Sequence, residues 1–242
     1  MQNYTLRYVG DQALSVEFEN EISIEVNQKV GALMHNLAGR QLPGLGELVP
    51  SYRALMIHYD PLRTDLEALL AAIDDAAAHP DVSQLPPAIV TEIPVCYEGE
   101  WAQDLEEIAA LEHKSPEEVV RIHSQSDYYV YMLGFAPGHP YTARFENPFS
   151  FKRRSSPRVK IPGGSIVVQL GLSDIIPFSQ PCGWNIIGTT PVLVCDYRRE
   201  NPFLLQAGQW IRHIPISQAE FAEIKRQVEL GEYECRRYER RD

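Results

Sequence analysis

The chain has 242 residues, enough for one large or two small cores. Hydrophobic residues at 44% and charged residues at 23% are ordinary for a globular domain, which excludes long-range disorder. The net charge of −11 argues against a general nucleic-acid or anionic-membrane binder, since such proteins lean basic.

No apolar run approaches the ~20 residues that cross a bilayer. Met1 to Asp11 is polar and lacks the apolar region of a secretory signal. The expectation is a cytoplasmic protein with neither a membrane nor a nucleic-acid partner. Cys96, Cys182, Cys195 and Cys235 show no CxxC spacing and no accompanying histidine cluster, so no metal site is expected and the thiols read as reduced and mostly buried.

Residues 1–80 read as a small α/β unit. Leu14, Val16 and Phe18 alternate as in a half-buried strand, and Ser23 stands where a helix cap belongs. Val26, Val30, Leu33, Met34 and Leu37 then repeat on one helical face. Gly44-Leu45-Gly46 breaks the pattern, and Leu55, Ile57 and Tyr59 alternate again. Thr64 and Glu67 have capping-box spacing ahead of a second amphipathic helix. Such an order suggests a small sheet with two helices on one face.

Residues 81–92, opening near His79-Pro80 and containing Pro86-Pro87, read as an extended linker. Ile93 to Cys96 looks like a strand, and two short helices follow, the second with Ser115, Pro116 and Glu118 at its start. From Tyr128 to about Pro215, short apolar runs are cut by glycine and proline, which reads as a barrel or sandwich domain over 93–216. Ser217 and Glu220 open a last helix, and the dense charges after Glu229 read as a solvated or frayed tail within 217–242.

Three stretches carry candidate chemistry. Tyr131 to Tyr141 holds two glycines and two prolines between aromatic residues. This makes either a rigid ligand-facing loop or a tight barrel corner. Lys152 to Lys160 places five cations within nine residues, directly before Pro162-Gly163-Gly164-Ser165. Cations beside free amides and a hydroxyl suit a carboxylate or phosphate, while a solvated strand face is the plainer reading. Pro181-Cys182-Gly183-Trp184 offers a pocket wall in Trp184 and a thiol in Cys182, although such a tryptophan is more often core. His139 is the one histidine inside these loops and is a general-base candidate whose acidic partner is not visible in sequence. No Walker or dinucleotide-binding motif occurs.

Several motifs together resemble one family. They are Gly10-Asp11-Gln12-Ala13-Leu14, Glu47 to Arg53, His58-Tyr59-Asp60-Pro61, Ile93 to Tyr97, Tyr131 to Gly138, Ser156-Pro157-Arg158 with Ile161 to Ser165, and Pro181 to Trp184. In order and spacing they look like the B component of 5-oxoprolinase, also called allophanate hydrolase subunit 1, over about residues 4–215. The resemblance implies an α+β chain: a small α/β domain followed by a cyclophilin-like β-barrel. It implies a partner of the allophanate hydrolase subunit 2 type (the C component of 5-oxoprolinase), a possible third partner of the A-component type, and ATP with Mg at the level of the complex. It implies opening of a small cyclic amide or carboxylate, 5-oxoproline foremost, with a carboxyltransferase half or a histidine-kinase inhibitor as alternatives.

Taking the loop residues and the resemblance together, Arg158, Ser165 and His139 are the expected catalytic residues, His139 from its place in the loop rather than from the resemblance. Arg158 would anchor a carboxylate. Phe135, Gly138, Tyr141, Gly163, Gly164 and Trp184 are expected to bind substrate. The sequence departs from the family at Gly138 to Arg144, at Leu172 to Pro177, where Asp174 adds an acid, and at Cys182.

Overall fold

The computed structural model describes residues 4–142, 149–170 and 172–240. They form two compact units, 1–87 and 88–242.

In the first unit, β1 (Thr5–Tyr8) and β2 (Ala13–Glu17) precede α1 (Ile24–Gly39), and β3 (Leu45–Pro50) and β4 (Ala54–Tyr59) precede α2 (Leu66–Ala78). The sheet is antiparallel with order β1-β2-β4-β3. Ser23 caps α1 by accepting from the Val26 amide, as its position suggested. The second helix differs from expectation. Asp65, one residue after Thr64, is its cap and accepts from the Glu67 and Ala68 amides. A carboxylate there also meets the positive end of the helix dipole. Leu14, Val16, Val30, Leu33, Leu37, Leu55, Ile57 and Ile73 are fully buried in one core. Each such side chain contributes roughly 1.5–3 kcal/mol.

In the second unit, β5 (Ile89–Cys96) leads through a 3-10 turn (Gly99–Ala102) to α3 (Leu105–Leu111) and α4 (Pro116–Gln125). Then come β6 (Asp127–Leu133), β7 (Pro140–Thr142), β8 (Arg158–Ile161), β9 (Ser165–Gln169), β10 (Leu172–Ile175), β11 (Gln180–Cys182), β12 (Asn185–Thr189) and β13 (Trp210–Ile216). The unit ends with α5 (Gln218–Leu230) and β14 (Arg237–Glu239). The main sheet runs β10-β9-β12-β5-β13-β6-β7. Its two edges meet: the Thr142 hydroxyl donates to the Ser173 carbonyl at 2.5 Å, so the barrel is nearly closed. Strands β8 and β11 form a separate ribbon beside it.

Ser217 and Glu220 form the reciprocal capping box at the start of α5. The expected frayed tail is instead ordered through Arg240. Strand β14 pairs antiparallel with β5, and the Arg240 guanidinium lies 3.6 Å from the Trp210 ring centroid. No described helix is long and apolar enough to cross a membrane.

Candidate functional site

Strand β10 alternates its side chains, so adjacent residues serve opposite faces. Ser173 turns into the barrel, where its hydroxyl lies 2.8 Å from His123 Nε2. Asp174 turns the other way, 3% exposed, and accepts from the Thr142 amide at 3.3 Å. His139, 6% exposed, places Nε2 3.3 Å from Asp174 Oδ2. The acid partner that the sequence did not pair with His139 is therefore the acid 35 positions further on.

The loop carrying His139 is bound to itself. The His139 amide donates to the Ala136 carbonyl, and the Gly134 amide donates to the His139 carbonyl. Gly138 sits at φ +76°, and a Cβ there would fall 2.8 Å from Cys195 Cβ, so this position needs glycine. Phe135 adopts φ +64°, a left-handed conformation that is strained for an aromatic residue. Phe135 is 79% exposed and its ring meets His139 edge-on at 5.9 Å, while the Tyr141 ring lies tilted to His139 at 5.1 Å.

These residues line a cavity of about 270 Å³ between the barrel and the β8–β11 ribbon. Val167, Ile176 and Trp184 supply apolar walls; Gln180, Cys182 and Arg153 supply polar ones. Burial pushes the Asp174 carboxyl above its usual range, and the His139 bond only partly offsets this. Burial likewise raises the Cys182 thiol, which Arg153 opposes, so Cys182 is not an activated nucleophile here. A larger hollow in the first unit, lined by Gln12, Gly44, His58, Asp60 and Arg63, brings none of the candidate residues together.

The expected site residues divide. Phe135, His139, Tyr141 and Trp184 share the cavity, with Gly138 shaping the loop behind it. Arg158, Gly163, Gly164 and Ser165 are not in its lining. The Arg158 guanidinium instead grips Asp104 through two hydrogen bonds. The Ser165 hydroxyl, buried, donates to the Pro162 carbonyl at 2.9 Å. The Gly164 amide donates to the Ile176 carbonyl at 2.7 Å, and a Cβ on Gly164 would collide with the Thr190 carbonyl. A turn whose amide and hydroxyl are already bonded internally does not fit the phosphates of a nucleotide. Sequence reasoning noted Asp174 without pairing it and passed over Arg153. For Asp174 the signal was an acid within a short strand directly before the apolar pair Ile175-Ile176. Ala143 and Arg144 of the divergent loop lie outside the described residues. Among the described residues no cluster of three or more His, Cys, Asp or Glu side chains is placed to hold a metal ion.

The family profile of the carboxyltransferase domain, subdomain C and D, matches residues 4–205. The chain belongs to this family. It is similar to the B component of 5-oxoprolinase from Bacillus subtilis, 34% identical over 239 residues covering 92% of this chain and 97% of that one. In structure it is similar to the protein TTHA0988, with TM-score 0.75 and 34% identity over 88% of this chain and 40% of that one. The chain thus spans about two fifths of TTHA0988. The Kluyveromyces lactis urea amidolyase shares the fold, with TM-score 0.76 at 17% identity over 98% of this chain and 16% of that one. The nearly closed barrel fits the cyclophilin-like expectation for this family.

Proposed function

We propose that this chain is the B component of a heteromeric, ATP-dependent 5-oxoprolinase-type amidohydrolase. The observation that carries the reading is the likeness to the Bacillus subtilis 5-oxoprolinase component along nearly the whole of both chains. The cavity is compatible with it. Apolar walls around a buried His–Asp pair suit a small cyclic amide whose ring nitrogen or carbonyl must exchange a proton.

In this reading Asp174 keeps the His139 proton on Nε2 and leaves the lone pair on Nδ1. That atom is buried and meets no hydrogen-bond partner among the described residues. A ring held in that tautomer by a carboxylate can accept a proton there only from a substrate that itself reaches the buried Nδ1. Phe135, Tyr141 and Trp184 exclude water around the substrate. ATP and its Mg are placed at the level of the complex; at the Gly-Gly turn of this chain the Gly164 amide and the Ser165 hydroxyl already donate to protein carbonyls. The partners are then an allophanate hydrolase subunit 2-type protein, the C component, and an A-component protein, and the complex is cytoplasmic.

The test is phosphate release from ATP by the three co-expressed components, with and without 5-oxoproline. Release should require 5-oxoproline, and His139→Gln should lower it about 10²–10⁴-fold while the complex still forms. A stable complex with no stimulated release would move the reading to a binding or regulatory role. A second reading, a carboxyltransferase half acting with a biotin-bearing partner, is favoured by the family's carboxyltransferase description. It predicts carboxyl transfer from carboxybiotin to a urea-like acceptor without ATP in the assay.

A further inference from the structure

We infer that Arg153 is the anion-binding residue of the His139–Asp174 cavity and receives the carboxylate of a small cyclic amide acid there. The inference rests on the reading of that cavity given above, and it assigns the carboxylate to a different residue from the Arg158 that the sequence suggested.

Three arginines compete for the role, and the structure engages two of them elsewhere. Arg158 is bound twice to Asp104, and Arg154 is bound to Asp104 and Glu107. Arg153 has no ion pair among the described residues, and it lines the cavity. Arg153 also borders a second hollow together with Lys152 and Arg154, and what ties it to this cavity is its place in the lining and its contact with Gly183. The backbone is pinned at this point, because the Arg154 amide donates to the Gly183 carbonyl at 2.8 Å.

Gly183 completes the arrangement. A Cβ built there would lie 2.5 Å from Arg153 Nε and 3.1 Å from Nη2. The guanidinium therefore lies against the bare backbone of Gly183, next to Trp184 at the cavity wall, in space that any side chain would fill. Its planar fork can hold a carboxylate through two parallel hydrogen bonds, which a lysine cannot do. The apolar surfaces of Ile176 and Trp184 lower the local dielectric and strengthen that contact. The one carboxyl group in the lining, Asp174, is turned to His139 and Thr142 and does not claim the guanidinium.

The test is calorimetric titration of the full chain with 5-oxoproline and with 2-pyrrolidinone, the same ring without its carboxylate. Arg153→Gln should weaken 5-oxoproline binding about 10–100-fold and leave 2-pyrrolidinone unchanged, the loss expected of one charge-assisted contact. Gly183→Ala should do the same with Arg153 still present, because the added methyl displaces only the end of a flexible side chain. Lys152→Gln removes a neighbouring cation outside the cavity lining and should leave both affinities alone. The inference is overturned if the wild-type chain does not bind 5-oxoproline, if Arg153→Gln binds it normally, or if Lys152→Gln weakens it equally. Arg153-dependent binding without turnover in the assembled complex sinks the 5-oxoprolinase reading and keeps Arg153. Normal turnover with an unchanged KM in Arg153→Gln does the reverse.

Discussion

Arg158 and Asp104 are joined by two hydrogen bonds, 2.9 Å from Nη1 to Oδ2 and 2.6 Å from Nη2 to Oδ1. Asp104 also accepts from Arg154 and from the Ile186 amide, so one buried carboxylate ties α3, the segment before β8, and β12 together. Removing one partner of a buried pair leaves an uncompensated charge. Arg158→Ala should therefore cost about 2–4 kcal/mol of stability, with Arg154 retaining part of the compensation. Denaturant unfolding monitored by fluorescence measures this. A variant as stable as wild type, but unable to bind 5-oxoproline, would return Arg158 to the ligand.

Gly164 should be intolerant of any side chain. It sits at φ +84°, and a Cβ would drive into the Thr190 carbonyl, a backbone atom that cannot step aside. Gly164→Ala should lose more than about 3 kcal/mol or fail to fold. Thermal melting compared with Gly183→Ala is the check, since both add the same methyl. Equal melting temperatures would contradict the difference drawn between a backbone and a side-chain obstacle.

Asp174 should make the chain less stable as the solution is made less acidic. Its folded carboxyl titrates above the ordinary range near 4, so between the two values the folded state holds the extra proton. Stability from this group is present below the ordinary value and falls as pH rises toward the folded one. Asp174→Asn removes that slope. Relative to wild type it should gain stability as the pH is raised above the ordinary carboxyl value near 4, read by urea unfolding. Parallel curves would show that the carboxyl is not buried as described.

His213 works in the opposite direction. Burial lowers its folded value to about 3, and neither ring nitrogen has a hydrogen-bond partner among the described residues. Between about 3 and its ordinary value near 6.5 the unfolded chain binds the extra proton, so stability rises with pH across that window and is lost on acidification. The upper bound is on the order of 5 kcal/mol. His213→Phe keeps a flat ring against His123 and Tyr128 and removes the titration. It should match wild type at pH 7.5 and exceed it at pH 4.5. Loss of stability at both pH values would mean that packing, not protonation, dominates there.

The local devices of the fold were legible in sequence. Ser23, Ser115 and Ser217 all cap the helices that they precede, because a cap depends on residues three apart. Alternation along β2 and β4 named their buried faces for the same reason. What escaped depends on distant partners. His139 and Asp174 meet only because β7 and β10 close the barrel seam. Gly163-Gly164-Ser165 looks like an anion cradle until the Ile176 carbonyl takes the Gly164 amide. The basic run showed its charges but not their assignment, which Asp104, fifty residues upstream, decides. The tail read as solvated because β14 carries Arg237 and Glu239 outward, and only its pairing with β5 makes it a strand.

Strand β5 opens the second unit, yet each of its partners comes from much later in the chain: Cys96 pairs with Thr189, Val90 with Trp210 and Thr91 with Arg237. On the ribosome this strand emerges first and waits longest, an apolar ribbon with unpaired edges while most of the barrel is still to be made. Glu92 and Pro94 interrupt it, one with a charge and the other by removing a backbone donor. They guard against a wrong neighbour during that wait, so replacing both with valine should send newly made chain into aggregates before the barrel can close around it.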